Sequence, residues 1–158
     1  MAGLVGPAGK VFAEEIADTA IQSLHERIKT FDPGNVTIVK GTSDNPLLPP
    51  DSLAAVLVVN SYHHFVQHEA MLEQIRRALK PGGRLVIADY SLPGHRSRSR
   101  DAQVSNHEIA PDMVRAELQR ARYQVVRCED PLVKRKLFAW GYSIQRGDLW
   151  LMVAVRPK

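Results

Sequence analysis

Two apolar runs of strand length flank one amphipathic segment in the middle of the chain. In order, the three segments are Leu53–Val59, Val66–Leu79 and Arg84–Ala88. This alternation predicts a βαβ unit with parallel strands that are buried on both faces. The runs end abruptly on polar residues, the first at Asn60-Ser61 and the second at Asp89. Because ligands bind outside the carboxyl ends of such strands, these polar residues are candidates for a site.

The pattern before this unit predicts a strand, a helix and a second strand. The strands are Lys10–Ile16 and Val36–Lys40, and apolar residues from Ala17 to Ile28 are spaced for one helical face. Proline and glycine predict a turn at Asp32–Asn35, and three prolines predict a loop at Asn45–Asp51.

The pattern after the unit predicts a long polar loop, a helix and two strands. The loop, Ser91–Asn106, is either a mobile lid or disordered, and the sequence leaves both open. The helix begins near Pro111, and the strands are Tyr123–Cys128 and Trp150–Val155. Lys134–Arg146 reads as a hairpin-like excursion between them. With no helix between them, these two strands predict a terminal antiparallel hairpin. The whole order predicts a three-layer α/β sandwich with a mostly parallel, doubly wound sheet.

Composition indicates a soluble globular chain with one domain over residues 1–158, since 44% of the residues are hydrophobic and 24% are charged. The single cysteine, Cys128, excludes an internal disulfide, and a reducing cytoplasm fits best. No apolar run approaches the ~20 residues of a membrane span, so we expect no membrane partner. The net charge of +4 is concentrated in short clusters, His95–Arg100 and Lys134–Lys136. Solvated loops explain such clusters better than nucleic-acid binding does.

Three strand ends carry candidate binding residues. Glu15 ends the first strand, where a carboxylate can accept hydrogen bonds from a ribose diol, although an acid is also favourable at a helix start. The segment Gly41–Asp44 either brackets a purine edge or forms an ordinary turn. Asn60-Ser61 follows seven apolar residues, and a site is favoured there over a simple cap.

The histidines His63, His64 and His68 raise the question of a metal, because His64 and His68 are four residues apart. No carboxylate or cysteine completes a set at recognisable spacing, so we expect no metal. Motifs for acyl hydrolysis, phosphoryl transfer and dithiol chemistry are absent from the sequence.

The chain resembles the class I S-adenosylmethionine (SAM)-dependent methyltransferases, which have a Rossmann-like fold, over nearly its full length. The matching segments are residues 5–16, 41–49, 56–65, 79–89, 107–111 and 117–121. The most specific one is the Leu-Lys-Pro-Gly-Gly turn at Leu79–Gly83, which recurs before the fifth strand of this family. The resemblance implies SAM as the cofactor.

The resemblance also implies a role for individual residues. Glu15 would hold the ribose hydroxyls and Ile16 would pack on the adenine, while Thr42 and Ser43 would line the adenine edge. Asn60 and Ser61 would lie near the methionine moiety and the transferred methyl group. Methyl transfer from a sulfonium mainly needs positioning, so no catalytic residue is assigned. Tyr62 and His63 either face the acceptor or belong to the core.

One departure from the family concerns the sheet. The family's first strand and its Gly-rich turn would precede Met1, so we expect an N-terminally incomplete domain. The strands Lys10–Ile16 and Leu53–Val59 then lose their shared neighbour, and two exposed edges result. Exposed edges favour pairing with another chain, so a homo-oligomer that pairs through these edges is one possible state.

The leading functional interpretation is SAM-dependent methyl transfer to a small-molecule acceptor. The first alternative is a non-catalytic remnant of the fold that acts as a binding or interaction module. The second is an RNA-directed enzyme that uses the basic loop Arg96–Arg100.

Overall fold

The computed structural model describes residues 2–31, 34–133 and 148–158. These ranges contain both α-helices and strands. The strands are β1 (Val11–Glu15), β2 (Val36–Lys40), β3 (Leu53–Val59), β4 (Leu79–Ser91), β5 (Gln124–Val133) and β6 (Asp148–Val155). The helices are α1 (Asp18–Phe31), α2 (His68–Ala78), α3 (Arg100–Val104) and α4 (Pro111–Arg120). Short 3₁₀ helices cover Tyr62–His64 and Pro93–His95. The predicted α/β class is confirmed.

Strands β1 and β2 form a parallel pair, in register from Val11 opposite Val36 to Glu15 opposite Lys40. The helix α1 connects them, as a parallel crossover requires. No residue of α1 is fully buried, so the apolar stripe of this helix stays partly exposed. This pair therefore depends on its own backbone ladder more than on a deep core.

A second sheet has the strand order β3-β4-β6-β5. The β3–β4 pair is parallel, which confirms the predicted βαβ unit, and β6 pairs antiparallel with both β4 and β5, which confirms the terminal hairpin. Among the described residues, β1 pairs with β2 alone and β3 pairs with β4 alone. Within the described ranges, each sheet therefore has two edge strands, β1 and β2 in the first sheet and β3 and β5 in the second.

The strand β4 is longer than the sequence predicts. It begins at Leu79 and runs through the Lys80–Gly83 segment, which was expected to be a turn. Gly82 adopts a φ of +80°, which suits glycine, and its N–H donates to Arg156 O at 2.9 Å. The Pro-Gly-Gly segment therefore bends the strand while the chain end supplies its hydrogen bonds.

The core lies between one face of the four-stranded sheet and the helices α2 and α4. Its fully buried members include Leu72, Leu85, Ile87, Val114, Leu118, Trp150 and Met152. Burying one such side chain stabilises the fold by roughly 1.5–3 kcal/mol. On β3, Val56 and Val58 contribute to this core, whereas Leu57 and Val59 are 48% and 53% exposed. The expectation that β3 is buried on both faces is wrong, because its alternate side chains point away from the core.

The segment after β4 is ordered rather than a featureless loop. It forms a 3₁₀ turn at Pro93–His95 and then α3. The buried Gln103 holds it in place, because its amide donates to Arg98 O at 2.9 Å and accepts from Ala110 N at 2.7 Å. Of the two alternatives for this segment, disorder is therefore wrong, and a mobile lid stays a prediction.

Two predicted features, the Asp32–Asn35 turn in part and the Lys134–Arg146 excursion, lie outside the described residues. Among the helices that are described, none combines the length and the apolar character needed to span a bilayer.

Candidate functional site

Glu15 lies at the carboxyl end of β1, where the chain turns into α1. Its Oε1 accepts hydrogen bonds from Ile16 N at 2.7 Å and Ala17 N at 3.0 Å. Within the described residues, Oε2 accepts none, so one carboxylate oxygen is available to a ligand. Ile16 follows directly and is 51% exposed, which leaves its apolar surface open beside that carboxylate.

The loop after β2 begins at the buried Gly41, whose N–H donates to Glu15 O at 3.1 Å. Thr42 Oγ1 donates to Asp44 Oδ1 at 2.6 Å, and Thr42 N donates to Asn45 O at 2.8 Å. The segment is therefore a hydrogen-bonded turn, as one of the two sequence interpretations held. Both Thr42 and Ser43 are exposed beside the end of β1 and remain accessible to a ligand.

Asn60 and Ser61 follow β3 directly. Asn60 has a φ of +51°, a left-handed conformation that asparagine tolerates better than most residues, and its N–H donates to Ala88 O at 2.7 Å. Ser61 Oγ donates to Val59 O at 3.1 Å. The exposed Asn60 side chain thus lies at the carboxyl end of a parallel strand, at the edge where ligands bind.

One hydrogen bond links the loop after β2 to the segment after β3. Gln67 Nε2 donates to Ser43 Oγ at 2.9 Å, and Gln67 directly precedes α2. The structure therefore places Glu15 beside the Gly41 loop, and it joins that loop to the segment that follows Asn60 and Ser61.

A buried carboxylate anchors the 3₁₀ helix that follows Ser61. Glu117 of α4 accepts from Tyr62 Oη at 2.7 Å and from Arg100 Nε at 2.9 Å, and His68 Nε2 lies 3.4 Å away. Burial raises the pKa of Tyr62, and the negative charge of Glu117 raises it further. Tyr62 is fully buried, so of its two alternatives the core is correct. Sequence reasoning gave Glu117 no role.

His63 forms a buried pair with Asp89, the acid that follows the apolar run Arg84–Ala88. The ring Nδ1 lies 2.9 Å from Asp89 Oδ1, and the His63 backbone N–H donates to Oδ2 at 3.1 Å. Their side chains are 2% and 0% exposed. The parallel register allows this pairing. Val59 lies opposite Ala88, so the residues that follow the two strands, His63 and Asp89 among them, lie at the same edge of the sheet. The sequence placed Asp89 at the end of its strand but did not indicate His63 as its partner.

Two further imidazoles surround His63. One ring nitrogen each of His63, His64 and His107 lies within 4.8 Å of the others. The pKa of His64 lies below its ordinary range, because the ring is partly desolvated and has His63 and His107 beside it. His68, which the four-residue spacing in the sequence sets beside His64, instead faces Glu117. No spacing in the sequence indicated His107.

Glu14 precedes Glu15, the residue proposed to bind the ribose, and one of its carboxylate oxygens has no hydrogen-bond partner among the described residues. Its Oε1 is buried without a hydrogen-bond partner and lies against Gly41, where a Cβ would collide with it. Desolvation raises the pKa of Glu14 to about 7, and the charge of Glu15 adds to the effect. The Glu14 carboxyl therefore keeps its proton to a higher pH than an ordinary glutamate does.

The basic loop after β4 is largely engaged in ion pairs. Arg96 binds Asp130 through two hydrogen bonds, at 2.5 and 2.8 Å, and Arg100 binds the buried Glu117. Of the loop's three arginines, Arg98 alone has an exposed side chain without an ion pair to the described residues. The structure therefore offers little free positive charge for RNA at this loop.

Comparison with known proteins identifies the family. A family model described as a methyltransferase domain matches residues 1–83. The ubiquinone/menaquinone biosynthesis C-methyltransferase UbiE of Ectopseudomonas mendocina is 30% identical over 95 residues, which are 60% of this chain and 37% of that enzyme. The match therefore spans little more than a third of that relative.

Solved structures agree on the fold. The crystal structure of a SAM-dependent methyltransferase from Aquifex aeolicus has a TM-score of 0.75 at 18% identity, covering 98% of this chain and 72% of its own. The cyclase SpnF has a TM-score of 0.73 at 11% identity, covering 95% and 68%. The chain belongs to the methyltransferase-domain family and has the α/β fold of the class I SAM-dependent methyltransferases.

Proposed function

We propose that this chain takes part in SAM-dependent methyl transfer to a small-molecule acceptor. One observation carries the proposal: in a methyltransferase-domain chain, Glu15 presents a free carboxylate oxygen at the carboxyl end of a parallel strand, beside the Gly41 loop. Carboxylates at this place in dinucleotide-binding sheets accept hydrogen bonds from ribose hydroxyls.

The residues at the strand ends fit the parts of SAM. Glu15 Oε2 is the acceptor for a ribose hydroxyl, and the exposed Ile16 offers an apolar surface for the adenine. Thr42 and Ser43 supply hydroxyl and amide groups for the purine edge, and Asn60 and Ser61 supply polar groups for the methionine end. When bound, SAM supplies a methyl group on a positively charged sulfur.

The chain's own contribution is positioning. Holding donor and acceptor in line makes the transfer effectively unimolecular, which supplies a large part of the rate enhancement. The left-handed backbone of Asn60 and the anchored 3₁₀ helix fix the polar groups after β3 in place. We assign no general base, because methyl transfer from a sulfonium mainly needs donor and acceptor to be positioned.

The relatives bear on the acceptor class. The matching UbiE enzymes are named C-methyltransferases of ubiquinone and menaquinone biosynthesis, which supports a carbon atom as the acceptor. The proposal stops at a small molecule, since the chain spans only 37% of that relative and the fold also occurs in a protein named as a cyclase.

A second candidate is a binding or interaction module. The observation that favours it is the pair of outer strands, β1 and β3, that have no second neighbour among the described residues. A strand with unpaired N–H and C=O groups is a template for another chain.

Calorimetric titration of the 158-residue chain with SAM and with its demethylated product tests the first proposal. We expect both to bind, and we expect Glu15→Gln to weaken binding at least tenfold, because a hydrogen bond to a charged group is worth about 1.5–3 kcal/mol. Glu26→Gln, an exposed acid on α1, is the matched control. No heat at millimolar SAM would leave the binding module as the better account.

A further inference from the structure

We propose that His63, His64 and His107 bind a divalent transition-metal ion of the Zn²⁺ class. One ring nitrogen of each lies within 4.8 Å of the others, although His107 is far from the pair in sequence. The proposal revises the sequence expectation of no metal, which considered His63, His64 and His68 but not His107. It stands independently of methyl transfer.

The buried carboxylate of Asp89 supplies the second observation. Metal-binding histidines usually donate their other ring N–H to a carboxylate, which fixes the tautomer and raises the basicity of the ligand nitrogen. Asp89 lies 2.9 Å from His63 Nδ1, so a proton on that nitrogen would be donated to the carboxylate and Nε2 would be left for the metal. Asp89 also accepts from Tyr90 N at 2.8 Å, which holds the carboxylate in place.

The backbone that carries the three rings is well anchored. His64 N donates to Ser61 O at 3.0 Å within the 3₁₀ helix, which Tyr62 ties to Glu117. His107 N donates to Val104 O at 2.9 Å, and its φ of +54° turns the chain there. The ligands would therefore be offered by two fixed segments rather than by a flexible loop.

The rings need only a small movement to close on an ion. In a tetrahedral site with metal–nitrogen bonds of about 2.05 Å, the ligand atoms lie about 3.3 Å apart. His64 and His107 are exposed, so rotation of their side chains can supply the remaining approach, while the buried His63 stays fixed. The three rings already lie together, because the His63 and His64 centroids are 4.0 Å apart and the His107 centroid lies 5.8 Å and 5.4 Å from them.

The donor set selects the kind of metal. Neutral imidazole suits Zn²⁺, Cu²⁺ and Ni²⁺, whereas Ca²⁺ and Mg²⁺ require oxygen ligands. Three protein ligands also leave the fourth tetrahedral position open, as in zinc sites where water or substrate binds. The structure thus assigns the cluster to a transition metal with an exchangeable ligand.

Titration of the purified chain with Zn²⁺ against a chromophoric chelator tests the site, and Co²⁺ provides a visible spectrum that reports four-coordinate geometry. We expect one ion per chain, and at least a tenfold weaker affinity in both His64→Gln and His107→Gln. His25→Gln, an exposed histidine on α1, is the matched control and should bind within twofold of the parent chain. Equal affinity in all four proteins, or no binding at all, would overturn the proposal.

A second variant tests the role of the carboxylate. Asp89→Asn is expected to reduce Zn²⁺ affinity tenfold to a hundredfold, the usual cost of losing such a partner. Because Asp89 is fully buried, circular dichroism must first show that the variant is folded. If it is folded and binds Zn²⁺ as tightly as the parent chain, Asp89 does not orient a ligand. If it is unfolded, the exposed His64 and His107 variants decide the matter.

Discussion

Glu14→Gln is expected to stabilise the protein above neutral pH and to change little below pH 4.5. The wild-type carboxyl is half-buried, one of its oxygens has no hydrogen-bond partner, and Glu15 adds a negative charge beside it. A neutral amide of the same shape removes the cost of ionising that group in the folded state.

The size of the effect follows from the pKa of Glu14, which rises from its ordinary 4.5 to about 7 on folding. At about 1.4 kcal/mol per pH unit this corresponds to at most about 3.5 kcal/mol, and solvent screening of a half-buried group reduces it to about 1–2 kcal/mol. The folded wild type holds the Glu14 proton more tightly than the unfolded chain does. The stability that protonated Glu14 gives the wild type is therefore complete below pH 4.5 and is lost as the pH rises through about 7.

Urea unfolding at several pH values between 4 and 8, followed by far-ultraviolet circular dichroism, measures the difference. The free energy of unfolding of Glu14→Gln minus that of the wild type should grow by about 1–2 kcal/mol across this range and then level off. Glu26→Gln, an exposed acid on α1, is the control and should follow the wild type. Parallel pH profiles for the wild type and Glu14→Gln would refute the reasoning.

Two further predictions concern stability. Arg100→Met leaves the buried Glu117 without its guanidinium partner and should cost about 3 kcal/mol in urea unfolding, whereas the exposed Arg98→Met should change stability by less than about 0.5 kcal/mol. Gly83→Ala places a Cβ 2.8 Å from Lys80 O and 3.1 Å from Leu53 O, so a loss of about 1–3 kcal/mol is expected. Gly94→Ala, where a Cβ meets open space, is its control, and equal losses in the two variants would contradict the packing argument.

Much of the fold could be predicted from local pattern. The strands Val36–Lys40 and Leu53–Val59 were predicted with their observed bounds, because each is an apolar or β-branched run closed by turn residues. The error at Lys80–Gly83 has a physical reason. Proline and glycine usually end a strand. Here Gly82 and Gly83 exchange backbone hydrogen bonds with Arg156, a residue far away in the sequence that local pattern cannot bring into account.

The candidate site was predictable only in part. Glu15 and the Thr42-Ser43 pair follow strands whose ends are visible in the sequence, and the structure places them beside each other. Their binding of SAM stays a prediction. The contacts behind them were not predictable, since Tyr62 and Glu117 are 55 positions apart and nothing local in either segment marks the pairing.

By itself, the sequence determined most of the elements and their order, because hydrophobic periodicity and turn residues act over a few neighbouring positions. It also determined the parallel βαβ unit at Leu53–Tyr90, whose strand ends carry polar residues. Tertiary structure alone decided which polar groups meet. Packing α4 and the segment before it over the sheet brings Glu117 to Tyr62 and His107 to His63, and the exclusion of water around Asp89 and Glu117 is what makes those contacts strong.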